Sequence, residues 1–166
     1  MTRVFLTIIL TLAMYGSVSA QGMGASLVPP SSATDTAKKS GSWQDASTWT
    51  DGTVPTIADR VFIPAGLTVT NHATAEALWI HAAGKLTFCD HCDVQFNVHT
   101  IYVPMGGSFS GHATGRVIIE WLDGPFLPGD TTQLSRGLIC HGMLMVSGNP
   151  KLHGCAVSDS LLAAGT

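Results

Sequence analysis

The chain reads as an all-β protein, a β-solenoid in which one strand-turn-strand unit is repeated and stacked, with glycines at its corners and a cap at its N-terminal end. Three observations predict this class. The phrase ALWIHAAGKLTF at Ala77–Phe88 recurs as RVFIPAGLTVT at Arg60–Thr70, TIYVPMGGSFS at Thr100–Ser110 and GLICHGMLMVS at Gly137–Ser147. Within each copy apolar residues alternate with period two, the signature of a strand with one face buried. Each copy also carries a turn glycine, Gly66, Gly84, Gly107 or Gly142, and none has a helical period.

The elements follow in chain order. Arg3, the apolar run Val4–Met14 and the small-residue site Val18-Ser19-Ala20 read as a signal peptide over 1–20. That run is shorter than the roughly 20 residues a membrane span needs, so the expected place is secreted and extracellular, with no membrane after signal removal. Residues 21–39 are rich in Ser, Ala, Thr, Gly and Pro and read as a flexible leader. The domain proper is expected over 40–157. Its first segment, Ser40–Pro55, sets Trp43 and Trp49 among turn formers, with Asp45 as N-cap of a short helical turn over Ala46–Trp49. This segment suits a cap, because a terminal coil otherwise exposes an apolar face and unpaired strand edges.

From Arg60 onward the alternation places Val61, Ile63, Leu78, Ile80, Ile101, Val103 and Ile139 in the core. Gly84, Gly107 and Gly142 are expected either to take positive φ or to allow close packing at a corner. Gly115–Gly124 reads as a further strand ending in a turn. Pro125–Ser135 reads as a loop leaving the stack, and 158–166 as a C-terminal tail.

The 166 residues include 8 Lys and Arg against 11 Asp and Glu, a formal charge of −3. A nucleic-acid binder normally presents a basic face, so no nucleic-acid partner is expected. The four cysteines, Cys89, Cys92, Cys140 and Cys155, are disulfide candidates in an exported chain, with three possible pairings. Cys89-Asp90-His91-Cys92 also has the form of half a zinc site. The missing second half favours disulfides, so neither metal nor cofactor is expected.

The succession SGSWQDASTW, DGTVP, ADRVFIPAGLTV, ALWIHAAGKLTF, IYVPMGGSFSG, VIIEWLDG and LICHGMLMVSG resembles the extracellular eight-glycine (G-eight, G8) domain family, over roughly Ser40 to Gly154. The family pattern falls on Trp43, Trp49, Gly52, Pro55, Asp59, Pro64, Gly66, Gly84, Gly107, Gly142 and Gly154. Ala58 stands where the family often has glycine. The resemblance implies a single-stranded, right-handed parallel β-helix, an extracellular place and association with glycan-handling proteins; it does not imply catalysis by this domain.

The position preceding the core residue before each turn is Phe62, Trp79, Tyr102 and Leu138 in the four copies, and period two places these in one outward column. Stacked at strand spacing, about 4.8 Å, such a column suits sugar rings, with Arg60 and His81 as polar contacts. The competing reading is a column covered by the leader, the 125–135 loop or a partner domain, since large exposed apolar patches are unusual on monomers. Glycan hydrolysis needs paired carboxylates. The chain has only Glu76 and Glu120 besides aspartates in turn contexts. The expected function is a non-catalytic module that binds an extracellular glycan or glycoprotein. The alternatives are an enzyme, or a fragment of one, acting on polysaccharides such as hyaluronan, and an assembly module with an edge-to-edge protein partner at its last coil.

Overall fold

The structure, a computed structural model, describes residues 27–131 and 133–148. The signal segment 1–20, residues 21–26 of the expected leader, Gly154, Cys155 and the tail 158–166 lie outside the described residues. Its elements are almost all strands: β1 (Asp35–Thr36), β2 (Gly41–Ser42), β3 (Arg60–Ile63), β4 (Thr68–Asn71), β5 (Ala75–Ala82), β6 (Lys85–Phe88), β7 (Val94–Val103), β8 (Ser108–Ala113), β9 (Val117–Trp121), β10 (Gly137–Cys140) and β11 (Met143–Gly148). Two short 3-10 helices, Pro30–Ser32 and Ala46–Thr48, complete the set.

The strands alternate between two sheets. One has the order β1-β3-β5-β7-β10, with β9 on the N-terminal half of β7, and the other β11-β8-β6-β4-β2. Every ladder between these strands is parallel. Each phrase read from the sequence therefore adds one strand to each sheet, and the all-β class stands.

Between the sheets, residues in register stack layer on layer. Val61 lies beside Ile80, Ile80 beside Ile101 and Ile101 beside Leu138; in the second sheet Val69, Leu86, Phe109 and Leu144 do the same. Val61, Ile63, Val69, Ile80, Leu86 and Ile101 are fully buried, and each such side chain contributes about 1.5–3 kcal/mol. Trp43 and Trp49, both fully buried, meet edge to face with centroids 4.9 Å apart, and Trp43 meets Phe96 at 5.0 Å. Asp45 caps the intervening turn, accepting from Ser47 N at 2.8 Å.

Several expectations need correction. The described part of the leader is built into the sheet. β1 pairs with β3, Thr34 N and Ala37 N donate to Arg60 O and Phe62 O, and Val28 and Ala37 are buried. The otherwise unpaired edge of β3 supplies the partner that composition alone does not reveal. Leu78 faces away from the main core because β5 bends after Ala77, putting two consecutive residues outward before Ile80 turns in. Ile139 also faces out, level with Tyr102, and Leu138 packs on the core instead.

The glycines divide into two kinds. Gly66 has φ +84 with nothing near its missing Cβ, and Gly52 likewise has positive φ, at +77. Gly84, Gly107 and Gly142 occupy equivalent corners where the chain crosses the preceding layer. A Cβ there would stand 2.3, 2.1 and 2.4 Å from a backbone carbonyl oxygen. Close packing, not positive φ, sets those three positions.

Candidate functional site

The expected ligand face lies on the outer side of the first sheet, and the structure closes it. Tyr102 is 2% exposed, Trp79 3% and His81 5%, all beneath Val28 from the N-terminal segment and Leu127 from the 122–136 loop. Phe62 is half-buried and Arg60 exposed. The predicted column is also out of register. Phe62 pairs with His81 and His81 with Tyr102, their rings edge to face at 5.4 and 5.0 Å, whereas Trp79 pairs with Arg60 and Thr100.

The choice of core residue is the reason. The core side of β5 runs on past Ile80 to the small Ala82, which pairs with Ile63, so Phe62 meets His81 rather than Trp79, two residues away on the same face. In β10 Leu138 and Cys140, not Ile139, face the core, so the position before Ile139 lands on the core side.

His81 holds the cover in place. Its Nδ1 donates to the Val28 carbonyl at 2.8 Å. Burial depresses the His81 pKa below 6.5, while the Val28 bond works the other way. Burial likewise pushes the Tyr102 phenol up.

The second sheet presents an open groove on its outer face, with a volume of about 800 Å3. Sequence reasoning missed it because the positions concerned are short polar residues at the outward half of the alternation. Ser42, Thr70, Thr87, Ser110 and Met145 form one rung across five strands. The signal was present as the patterns Thr68-Val69-Thr70, Lys85-Leu86-Thr87 and Ser108-Phe109-Ser110. Neighbouring strands stand about 4.8 Å apart, so the hydroxyls recur at that interval. Ser110 Oγ donates to Thr87 Oγ1 at 3.0 Å.

Ionisable groups frame the rung. Lys85 and Asp90 line the groove with two exposed histidines, His72 and His91. Hydroxyl partners fix the tautomer of each neutral imidazole. Ser42 Oγ donates to Gln44 Oε1, so it accepts from His72 Nδ1 at 3.2 Å; Thr114 Oγ1 donates to Asp90 O, so it accepts from His91 Nδ1 at 2.7 Å. Both rings therefore keep Nε2 as an acceptor. Cys89 and Cys92 are bridged, with Cα atoms 5.4 Å apart, closing the corner at the rim. Among the described residues Cys140 has no sulfur partner.

Both glutamates fall on a third surface. Asn97 pairs with Glu76 on one side and Glu120 on the other, and Asn97 Nδ2 and Gln95 Nε2 donate to their carboxylates at 3.2 and 2.9 Å. Two strand spacings, about 10 Å, thus separate the pair, and neither glutamate lines the groove.

The fold and groove define a layered, parallel-stranded β module with a polar face and buried aromatics. Within that class the family is specific: the family model for the G8 domain matches residues 48–157. The chain belongs to the G8 domain family. No curated protein and no solved structure matches it. Among the described residues no helix is long and apolar enough to cross a membrane.

Proposed function

We propose that the chain is a secreted, non-catalytic module, a right-handed β-solenoid of stacked coils, that binds an extracellular glycan in the groove of its second sheet. The observation that carries this reading is the Thr70–Thr87–Ser110 rung set between His72, Lys85 and His91. Serine and threonine hydroxyls both donate and accept, as sugar hydroxyls do, and a row of them at strand spacing meets an extended polyol at repeated points. Two imidazole acceptors and one ammonium add directional contacts. Alternation of strands between two parallel sheets supports the solenoid, and family membership supports the extracellular place. Recognition here runs through hydrogen bonds rather than ring stacking, because Trp79 and Tyr102 are buried.

Retention of the purified protein on a panel of immobilised polysaccharides tests the reading, with Thr87→Val beside the wild type. Valine keeps the shape and deletes the hydroxyl. Wild-type retention that weakens in Thr87→Val supports the groove; equal retention of both proteins removes it.

The second reading is an assembly module, favoured by the last described layer. Leu144, in register with the buried Phe109, is 50% exposed, and Met143, Met145 and Val146 are 55%, 51% and 66% exposed. A core-level leucine facing solvent on an edge strand is a docking surface for a further β layer. Light scattering over a concentration series tests it: growth of mass with concentration supports pairing, and a strict monomer rules it out.

A further inference from the structure

A second pocket lies where β5 and β7 bend. At the bend Leu78 and Trp79 both leave the main core, while Ala77 and Ile80 stay in it. His99 and Thr100 occupy the same position in the next layer, between the buried Val98 and Ile101. Leu122 N donates to Val98 O at 3.0 Å, which brings Leu122 into the layer beyond. The bend and the loop that returns over it enclose about 370 Å3, walled by Ile57, Leu78, Leu122, Phe126 and Leu127, with His99 in the lining.

His99 is 2% exposed, and its Nε2 has no hydrogen-bond partner. Its protonation pattern follows from its neighbours. The Thr100 hydroxyl donates to the Ser135 carbonyl, which has no proton to give. That hydroxyl must therefore accept from His99 Nδ1, 2.8 Å away. The neutral ring is left with a lone pair on Nε2, a buried acceptor that no hydrogen bond satisfies. The loop is fixed to the same network: Leu127 N donates to Ser135 Oγ at 2.9 Å, and Ser135 N to Asp130 Oδ2 at 2.7 Å.

Gly124 covers the nitrogen. A Cβ there would stand at contact distance, 3.4 Å from His99 Cδ2 and 3.7 Å from Nε2, so the Gly124 backbone lies against that edge of the ring. At the rim the Asp123 carboxylate is paired with Arg136 at 3.5 Å, and the apolar walls disfavour a charged ligand of either sign.

We propose that this pocket binds a small neutral aromatic molecule of the phenol class, its ring between Leu78, Leu122 and Phe126 and its hydroxyl donating to His99 Nε2 as Gly124 moves aside. This site is separate from the groove and does not depend on it.

The test titrates the 15N-labelled protein with p-cresol and, separately, with toluene, which shares its shape and lacks the hydroxyl. The expected result is binding of p-cresol about tenfold tighter than toluene, with the His99 Nε2 resonance moving to lower frequency as it accepts a hydrogen bond. His99→Phe should reduce p-cresol to the toluene level, and Gly124→Val should block both. Should either variant fail to fold, the wild-type Nε2 resonance decides alone. No binding of p-cresol, equal affinity for the two probes, or an unmoved Nε2 resonance overturns the proposal.

Discussion

Gly84→Ala tests the corner packing on which the layers depend. The new Cβ would lie 2.3 Å from Pro64 O and 2.4 Å from Leu67 O, with Ile63 Cγ2 at 3.1 Å. Neither oxygen is free to retreat: Pro64 O accepts from Leu67 N at 3.2 Å, Leu67 O accepts from Lys85 N at 2.8 Å, and Gly84 N itself donates to Ile63 O at 2.9 Å. Relief of about 1 Å must come from parting two layers. Overpacking of this kind costs about 1–3 kcal/mol, and weakening two backbone bonds adds roughly 1 kcal/mol. Reduced freedom of the unfolded chain returns at most about 1 kcal/mol. The net expectation is a loss of roughly 1–3 kcal/mol. Gly66→Ala is the control, because nothing lies within 4 Å of its Cβ position and only φ +84 opposes the change, at about 1 kcal/mol. Urea unfolding followed by tryptophan fluorescence reports both, since Trp43 and Trp49 are fully buried. A Gly84→Ala protein no less stable than Gly66→Ala would refute the close-approach argument.

Further predictions concern buried titratable groups. Burial lowers the His81 pKa below 6.5, so the unfolded chain binds the extra proton first, and stability present above about pH 6.5 is lost as pH falls toward the folded pKa. Stability measured from pH 7 to 5 should therefore fall less steeply in His81→Phe than in the wild type; identical slopes would remove His81 from the account. Asp35 runs the opposite way. It is 2% exposed, burial raises its pKa above 3.8 against the bonds from Thr50 and Thr36, and Oδ2 has no partner. Its charge therefore costs stability as pH rises through the folded pKa. Asp35→Asn, which keeps an acceptor at Oδ1 for Thr36 N and Thr50, should be more stable than the wild type at pH 7, and a less stable variant in chemical denaturation would count against this reading.

The repeat was legible because strand period and corner glycines are local properties, written out in each phrase from Arg60 to Ser147. Val61, Ile63, Ile80, Ile101 and Val103 followed from alternation and are buried. Register was less legible. It depends on which residue ends the core side of each strand, and the small Ala82 beside the corner hides that Ile80 is not the last. Bends defeat a strict period of two, which is why Leu78 is misassigned. The leader shows a further limit: Asp35 and Thr36 have no strand signature of their own and pair because β3 offers an edge. The groove escaped notice because Thr70, Thr87 and Ser110 are ordinary surface residues in sequence, and only pairing across strands makes them a row.

The most direct measurement is amide chemical-shift mapping of the labelled protein with a short oligosaccharide from the best-retained polysaccharide. The account predicts perturbations at Thr70, Lys85, Thr87 and Ser110, with Arg60 and Phe62 unmoved. Perturbations gathered instead at Arg60, Phe62 and Val28, with Thr70, Thr87 and Ser110 unmoved, would contradict it.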